Sequence, residues 1–210
     1  MRHTFHSIQT THTSQTTHGR HGGLSFYQKK KTISNERLAS AASWIFVIAL
    51  AIVLSYVAVY AWGVRTSVIG NSMEPELYNG QEVLIDRIVY NVFQPSAGDV
   101  IVFKPNGNAN AHTYVKRVIA VPGDTVRISE GVLYLNGEPQ NDLFDDSIAD
   151  AGVAGEEITV GEDEFFVMGD NCNSSEDSRS ANIGNVKKDT IIGRAWLHMA
   201  GGSEGIGRIK

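Results

Sequence analysis

Ser72 stands in a segment whose composition could display a reactive hydroxyl group. Residues 70–77, Gly-Asn-Ser-Met-Glu-Pro-Glu-Leu, contain both a glycine and a proline. Glycine lets the backbone approach a ligand closely, and proline stops a helix or a central strand from continuing through the segment. The segment therefore either presents Ser72 as a nucleophile or forms an ordinary turn, and its composition leaves both readings open.

Lys116 is the residue that could activate such a serine. Its neighbours Val115, Val118 and Ile119 are apolar, and a lysine on a buried strand face loses hydration, which lowers the pKa of its amine. A lysine pKa of about 10.4 must fall by about two units for the amine to serve as a base near neutral pH. A neutral amine could then accept the serine proton, as in Ser-Lys forms of nucleophilic catalysis. In the alternative arrangement, Lys116 extends to solvent and Arg117 is the buried partner of an acid.

Other kinds of catalytic site find little support in the sequence. After residue 65 the chain has two histidines, so a Ser-His-Asp triad would have to use His112 or His198. His112 is a candidate for that role, whereas His198 lies among apolar residues and is interpreted as structural. No HExxH motif, glycine-rich phosphate loop or GxSxG elbow is present. Cys172 is the one cysteine, which excludes an intrachain disulfide and a cysteine cluster for zinc.

Charge divides the chain at about residue 65. Residues 1–64 hold six basic residues and one acidic residue, and residues 65–210 hold twelve basic and 22 acidic residues. The acidic character of the larger part argues against nucleic acid as a partner. Residues 1–28 are rich in Thr, Ser, His and Gln and have few large apolar side chains. We therefore expect residues 1–37 to form a disordered, basic and histidine-rich tail.

Residues 38–64 form an uncharged run of 27 positions that predicts a transmembrane helix. A helix of that length reaches about 40 Å, more than the roughly 30 Å hydrocarbon core of a bilayer requires. Trp44 lies near one end of the run and Tyr60 and Trp62 near the other, as interfacial aromatic residues do. The basic residues before the run place the N terminus in the cytoplasm and residues 65–210 outside. The alternative is a cleavable signal peptide, but the apolar region of such a peptide is typically about 7–15 residues long.

The remainder of the chain predicts a mainly β domain. Short runs of β-branched and aromatic residues alternate with turn signals, and no segment after the membrane span has helical periodicity over ten or more residues. Turns are predicted at Glu130-Gly131, within a hairpin, and at Asn136-Gly137. We expect a folded-over, barrel-like antiparallel sheet. The predicted strands lie at residues 83–86, 100–103, 112–121, 126–128, 132–135, 164–168 and 190–199, and residues 138–157 are predicted to form a surface loop.

Four blocks of this sequence resemble, in order and spacing, those of the bacterial type I signal peptidases. Residues 72–77, Ser-Met-Glu-Pro-Glu-Leu, resemble the nucleophile box SMxPTL, and residues 98–103 resemble the box in which Gly-Asp precedes a strand. Residues 116–124, Lys-Arg-Val-Ile-Ala-Val-Pro-Gly-Asp, resemble the general-base box. Residues 169–179 resemble the box GDNxxxSxDSR. The resemblance covers about residues 44–200.

The resemblance implies a role for each matching residue. Ser72 is the nucleophile and Lys116 is the general base, with the Ser175 hydroxyl bonded to the lysine amine and orienting it. Asp177 and Arg179 form a structural ion pair behind the site. No metal and no cofactor takes part.

The resemblance also implies how substrate binds. The strands around residues 66–71 and 112–116 hold the substrate as an added extended strand, so that alternate side chains enter pockets. The shallow apolar pockets for small side chains are lined by Val68, Met73, Leu77, Tyr114 and Val115.

Four positions relate this chain to variation within the family. Glu76 stands where threonine is common, and Cys172 where arginine is common. Gly70 stands where some members have a serine that helps to form the oxyanion hole, so the oxyanion must be stabilised by backbone amides or a water. The resemblance implies that the backbone N–H of Ser72 is one such donor. His112 does not occupy the lysine position, so the chain does not resemble the Ser-His branch.

The implied function is that of a membrane-anchored serine endopeptidase that removes signal peptides after Ala-x-Ala-like sites. The seven residues from Arg65 to Ser72 span at most about 24 Å, so the site would lie at the outer face of the cell membrane. The implied partners are the signal peptides of secreted preproteins, the lipid bilayer and the protein-export machinery. One alternative is a specialised or non-catalytic paralogue that assembles surface structures. Another is a self-cleaving repressor-type Ser-Lys protease, which the membrane anchor disfavours.

Overall fold

The computed structural model describes residues 35–107, 111–144, 146–201 and 205–210. The predicted disordered tail falls on residues 1–37, of which residues 1–34 lie outside the described residues. The described part of the chain is helical from Asn35 onward, three residues before the predicted start of the membrane span. A compact unit, Ile45–Lys210, contains the end of this helix and all the strands described below.

The first helix, α1, covers Asn35–Trp62 and is long and apolar enough to cross a membrane. All of its side chains are exposed except that of Ala61. The predicted span ended at Val64, but the helix ends two residues earlier because Val64 pairs with Ile85 in a sheet. An apolar helix with an apolar surface all round is typical of a membrane segment.

Twelve strands follow α1 within the described residues. In chain order they are β1 (Val64–Ser67), β2 (Glu82–Asp86), β3 (Val100–Phe103), β4 (Tyr114–Ala120), β5 (Thr125–Ser129), β6 (Val132–Leu135), β7 (Glu138–Pro139), β8 (Ile158–Thr159), β9 (Glu164–Met168), β10 (Val186–Lys187), β11 (Ile191–His198) and β12 (Gly207–Arg208).

The strands form two antiparallel sheets among the described residues. The large sheet has the order β1-β2-β11-β3-β4-β9-β10, with β12 beside β11, and the small sheet has the order β7-β6-β5-β8. Each pairing in both sheets is antiparallel. The predicted mainly β, antiparallel fold is confirmed.

Both predicted turns of the small sheet are present. Glu130 and Gly131 have φ angles of 53° and 79°, and Asn136 has 53° and Gly137 82°. Two consecutive positive φ angles define the type I′ turn, whose twist matches that of the flanking strands and which favours Asn-Gly and similar pairs. Gly131 has a second reason to be glycine, because a Cβ at this position would lie 2.0 Å from the Ser147 hydroxyl oxygen.

A short helix, α2, covers Val89–Val92, where the sequence predicts no helix. The Asp86 carboxylate accepts hydrogen bonds from the backbone N–H groups of Ile88 and Val89 at 2.9 and 3.1 Å, and from the Trp62 indole at 3.0 Å. A side-chain acceptor at the start of a helix satisfies N–H groups that have no partner within the helix. Asp86 therefore ends β2, starts α2 and joins both to the last residue of α1.

Strand β9 lies between two of the apolar clusters of the core. Phe166 and Met168 belong to the cluster that includes the small sheet, and Phe165 and Val167 belong to a cluster on the other face, as alternate residues of a strand must. The remaining cluster joins the segment after β1 to the large sheet. It consists of Val68, Met73, Leu77, Val83, Ile85, Val100, Val102, Val115 and Ala195.

Candidate active site

Ser72 lies in the connection between β1 and β2, and buried residues on either side hold this connection in place. The side chains of Met73 and Leu77 are fully buried, and the Leu77 N–H donates to the Met73 carbonyl at 2.8 Å. The chain also closes on itself where the Val68 N–H donates to the Gln81 carbonyl at 2.8 Å. With its neighbours buried, Ser72 itself is only half-buried.

Lys116 lies on β4, opposite Ile101 of β3. Its side chain is 3% exposed, and its Nζ lies 2.6 Å from the Oγ of Ser72, at hydrogen-bond distance. The two residues are 44 positions apart in the chain. The structure therefore brings together the predicted nucleophile and the predicted base.

Burial changes the acidity of this lysine. Loss of hydration lowers the pKa of the Lys116 amine to about 8, against the opposing effects of the negative charges of Asp177, Glu176 and Asp170. The positive charge of Arg179 acts in the same direction as burial. About a tenth of the amine is then neutral at pH 7, which is sufficient for a general base.

Arg117, the next residue on β4, makes the contacts that the alternative reading proposed for it. Its Nε and Nη2 donate to the two carboxylate oxygens of Asp170 at 2.7 and 2.6 Å. Successive side chains of a strand point to opposite faces, so Lys116 contacts Ser72 while Arg117 contacts Asp170. Arg117 therefore pairs with an acid, as the alternative reading proposed. Lys116 is buried, however, and does not extend to solvent.

Asp177 and Arg179 form a buried ion pair in the loop after β9. The Nε and Nη2 atoms of Arg179 donate to the two Asp177 oxygens at 2.8 and 2.9 Å, and the side chains are almost fully buried. Arg179 also donates to the backbone carbonyls of Asp150 and Cys172, and the Gly169 N–H donates to Asp177 at 3.2 Å. The pair thus ties both ends of the loop to each other and to the segment before β8.

The loop approaches the nucleophile closely at Gly169. A Cβ at this position would lie 2.3 Å from the backbone oxygen of Ser72 and 2.5 Å from the Oγ of Ser175, so only glycine fits. The Asn171 N–H donates to the same Ser72 carbonyl at 3.1 Å. Ser175 is therefore close to the nucleophile segment, as the sequence predicts.

The predicted hydrogen bond between Ser175 and Lys116 is not formed. The Ser175 Oγ is buried and has no hydrogen-bond partner among the described residues. The Lys116 amine instead takes Ser72 as its partner. A buried hydroxyl without a partner is energetically costly.

The apolar residues predicted to bind substrate separate into two groups. Val68, Tyr114 and Val115 line a groove of about 280 Å³ beside Ser72 and Lys116. Met73 and Leu77 do not line it, because they are fully buried in the cluster beneath the nucleophile segment. Of the other lining residues, Ile69, Gly70, Asn71, His112 and Thr113 belong to the two segments that were predicted to hold the substrate as an added strand. Ser174 and Glu176 also line the groove, and sequence reasoning did not assign them to substrate binding.

Gly70 and Glu76, two positions that depart from the family pattern, each have a defined local structure. Gly70 has a φ of +86°, a conformation that other residues rarely adopt, so its backbone disfavours a serine that could donate to an oxyanion. Glu76 accepts a hydrogen bond from the Lys210 backbone N–H at 2.6 Å, and the Lys210 carbonyl accepts one from Arg117 at 2.6 Å. The glutamate therefore has a structural partner of its own in this protein.

The described residues contain no group of three or more His, Cys, Asp or Glu side chains arranged to hold a metal ion. His198 is buried, and its Nδ1 lies 2.8 Å from the Gln81 amide. Since the Gln81 amide nitrogen is a donor, this contact makes Nδ1 of His198 an acceptor. His198 therefore has the structural role that the sequence predicts.

The family model described as signal peptidase, peptidase S26, matches residues 41–200. The chain belongs to this family. The resemblance of the four sequence blocks to the type I signal peptidases is thereby confirmed, and so is the prediction that the chain is a serine protease.

Named relatives of this chain occur in several bacteria. The probable signal peptidase I-2 of Synechocystis sp. is 34% identical over 151 residues, which are 66% of this chain and 66% of that protein. Signal peptidase I P of Bacillus subtilis subsp. natto is 32% identical over 164 residues, 71% of this chain and 84% of that protein. A crystal structure of a signal peptidase I from Enterococcus faecalis is 28% identical, with a TM-score of 0.39, and covers 49% of this chain and 97% of its own.

Proposed function

We propose that this protein removes signal peptides from exported preproteins, with Ser72 as the nucleophile and Lys116 as the general base. The observation that supports the proposal most strongly is the 2.6 Å distance between Lys116 Nζ and Ser72 Oγ. It lies within the range required for proton transfer between a nucleophile and its base. The burial that lowers the pKa of the amine to about 8 supports the same role.

The reaction follows from the positions of these two groups. Neutral Lys116 accepts the hydroxyl proton of Ser72 while Oγ attacks the scissile carbonyl carbon. The lysine then gives that proton to the leaving amine as the peptide bond breaks, and an acyl-enzyme ester remains. In the second half, Lys116 takes a proton from water while the water oxygen attacks the ester carbon. The bond from that carbon to Ser72 Oγ then breaks, Lys116 returns the proton to Oγ, and the carboxylic acid product leaves.

Backbone groups would stabilise the negative oxygen formed in each step. Gly70 supplies no side-chain donor, so the backbone N–H of Ser72 is the donor that we assign to the oxyanion hole. The Ser72 carbonyl is held by the Asn171 N–H at 3.1 Å, which limits rotation of the peptide units around the nucleophile. Removal of one oxyanion donor costs about 2.7–4 kcal/mol in enzymes built around it. Because the proposed hole has no side-chain donor from Gly70, we propose that the fixed orientation of the backbone N–H is important for the rate.

The groove is suited to an extended peptide. Strand β4 pairs with β9 only from Arg117 onward, which leaves residues 114–116 without a β9 partner on that edge. Residues 68–71 line the opposite side of the same groove. A substrate strand placed between these segments would bond to their backbone groups and direct alternate side chains toward Val68 and Val115. The small space favours alanine-sized side chains, and hence Ala-x-Ala-like sites.

Helix α1 supports a location at the membrane. We propose that it is a single membrane anchor whose N-terminal end is cytoplasmic, because the basic residues precede it in the sequence. The short connection from Arg65 to Ser72 then holds the site near the outer surface of the bilayer, where export machinery releases preproteins. Signal peptides, lipid and that machinery are the partners that we propose.

Cleavage of a preprotein by the full-length protein in detergent tests this function. We expect a single cut after an Ala-x-Ala-like site, and a loss of activity of at least about 10³-fold for Ser72→Ala and for Lys116→Met. Ser129→Ala and Lys187→Met, which change residues outside the groove, serve as matched controls with wild-type activity. Full activity in both dyad variants would exclude the Ser-Lys mechanism.

A further inference from the structure

Glu176 is a charged residue of the groove that the proposed mechanism does not use. It follows Ser175, is exposed, and lines the groove together with Tyr114 and Ser174. Among the described lining residues, Lys116 and Glu176 are the two with a Lys, Arg, Asp or Glu side chain, and His112 is a further titratable one. Lys116 must be neutral to act as the base. Of these two residues, Glu176 is then the one that carries a full charge.

The partner of Glu176 sets it apart from the other acids of its loop. Asp170 pairs with Arg117 and Asp177 pairs with Arg179, so each of those carboxylates faces a guanidinium. Glu176 instead accepts a hydrogen bond from the neutral Tyr114 hydroxyl at 3.0 Å. Its charge is therefore not balanced by a cation in direct contact.

Tyr114 also positions the carboxylate relative to the catalytic groups. The Tyr114 ring centroid lies 5.9 Å from the Lys116 amine, and its hydroxyl holds one Glu176 oxygen, Oε2. Within the described part of the chain, the other oxygen makes no hydrogen bond. A carboxylate that is held in place, exposed to the groove and free on one side can accept a hydrogen bond from a cationic ligand.

We propose that Glu176 determines charge specificity, favouring substrates with a lysine or arginine side chain at the position that lies against the Tyr114 end of the groove. A glutamate or aspartate at that substrate position is disfavoured by repulsion between like charges. The inference rests on the proposed function, since it concerns the peptide bound in the same groove. An exposed ion pair of this kind changes kcat/KM by about two- to fivefold at low ionic strength.

The test uses the full-length protein in detergent and a set of peptides derived from one cleavable Ala-x-Ala parent. Lysine and glutamate are placed singly at each position on both sides of the scissile bond, and the ratio of kcat/KM for the two peptides is measured at each position. We expect one position at which wild-type protein prefers lysine by about two- to fivefold. In Glu176→Gln this ratio falls to about one, and in Glu176→Lys glutamate becomes the preferred residue.

Glu162→Gln is the matched control, because Glu162 is an exposed acid that does not line the groove, and its lysine preference should equal that of the wild type. The proposal is overturned if wild-type protein shows no charge preference at any position, or if Glu176→Gln retains the preference. Failure of wild-type protein to cleave the parent peptide is a different result, which overturns the proposed function together with this inference. Because Glu176 is exposed, its variants are expected to fold, and a thermal unfolding curve verifies this.

Discussion

The large and small sheets bury different kinds of side chain. The small sheet packs its inner face against an apolar cluster that includes Ile128 and Leu133. The large sheet and its loops contain all the buried polar and charged side chains of the described residues. These are Gln81, Lys116, Asp177, Ser178, Arg179 and His198. The proposed catalytic residues therefore belong to the large sheet and its loops, and we expect the small sheet to contribute mainly to stability.

The cost of burying polar groups explains the partners of these buried side chains. A buried polar group without a hydrogen bond costs about 1–3 kcal/mol, and a buried charge without a partner costs more. Asp177 therefore contacts Arg179, Gln81 contacts His198, and Lys116 contacts Ser72. Lys116 differs from the buried charges of the ion pair because its partner is a neutral hydroxyl. Burial also shifts the lysine itself toward its neutral form.

The largest expected effect comes from removing that lysine. Lys116→Met should lower kcat/KM by at least about 10³-fold, yet raise the free energy of unfolding at pH 7 by on the order of 3 kcal/mol. The folded pKa of about 8 lies below the ordinary value of 10.5. Below pH 8 the buried lysine is protonated, and it lowers the free energy of unfolding of the wild type by the full amount. This loss disappears as the pH rises through 8 toward 10.5. Denaturant titrations at pH 7 and 10 measure this difference.

A variant that is both inactive and less stable than the wild type at pH 7 would contradict this account of Lys116. The comparison of the two sheets would then lose its main support, because Lys116 would be a structural residue of the large sheet.

The next largest effect should come from breaking the buried ion pair of the large sheet. Asp177→Asn leaves the Arg179 charge without its partner and should lower the free energy of unfolding by about 3–5 kcal/mol. Activity should fall as well, because the loop that carries Ser175 is tied through this pair. Thermal and denaturant unfolding measure the loss, with Asp142→Asn at an exposed position as the control. Wild-type stability in Asp177→Asn would show that the pair contributes little.

A cavity in the small sheet should affect stability alone. Leu133→Ala removes a fully buried side chain from the apolar cluster and should lower the free energy of unfolding by about 2–5 kcal/mol. Below the unfolding temperature, kcat and KM should remain close to wild-type values because the groove lies in the large sheet. A fall in kcat comparable to the loss of stability would contradict the division of roles between the sheets.

The pH dependence of kcat/KM below pH 8 tests the role of Lys116 in the large sheet, with an expected change of about tenfold per pH unit. Because Lys116 must be neutral, kcat/KM should rise tenfold per unit below pH 8 and level off above it. The cleavage rate of one peptide, measured between pH 5.5 and 9.5, provides the test. A limb centred near pH 6.5 would point to a histidine as the base instead, and His112→Gln would then be the variant to measure.

The smallest expected effect concerns the link between Glu76 and Lys210. Glu76→Ala removes the acceptor of the 2.6 Å hydrogen bond, and we expect kcat to fall by about two- to tenfold because the nucleophile segment is held less firmly. Glu76→Gln keeps an oxygen acceptor and should restore most of the rate. If Glu76→Ala retains the wild-type kcat, the link does not position Ser72.

Several elements could be predicted because their signals are local. The turn pairs Glu130-Gly131 and Asn136-Gly137 have the positive φ angles that the type I′ hairpin requires. The uncharged run from residue 38 predicts α1, although its end at Trp62 depends on the pairing of Val64 with Ile85. Helix α2 escaped prediction because its start depends on the Asp86 carboxylate, whose position is set by strand β2.

The sequence by itself determined the reactive residue types and their family. Ser72, Lys116 and the loop of Asp177 and Arg179 stand in motifs whose order is readable without coordinates, and strand alternation alone separates the faces of Lys116 and Arg117.

Only the tertiary structure decided whether these residues could react. The distance from Lys116 to Ser72 and the burial of the amine depend on contacts between residues 44 positions apart in the chain. The tertiary structure also decided that Met73 and Leu77 lie in the core and that Ser175 makes no hydrogen bond to the lysine. The physical reason is that a pKa depends on desolvation and on nearby charges, which arise from packing between distant segments.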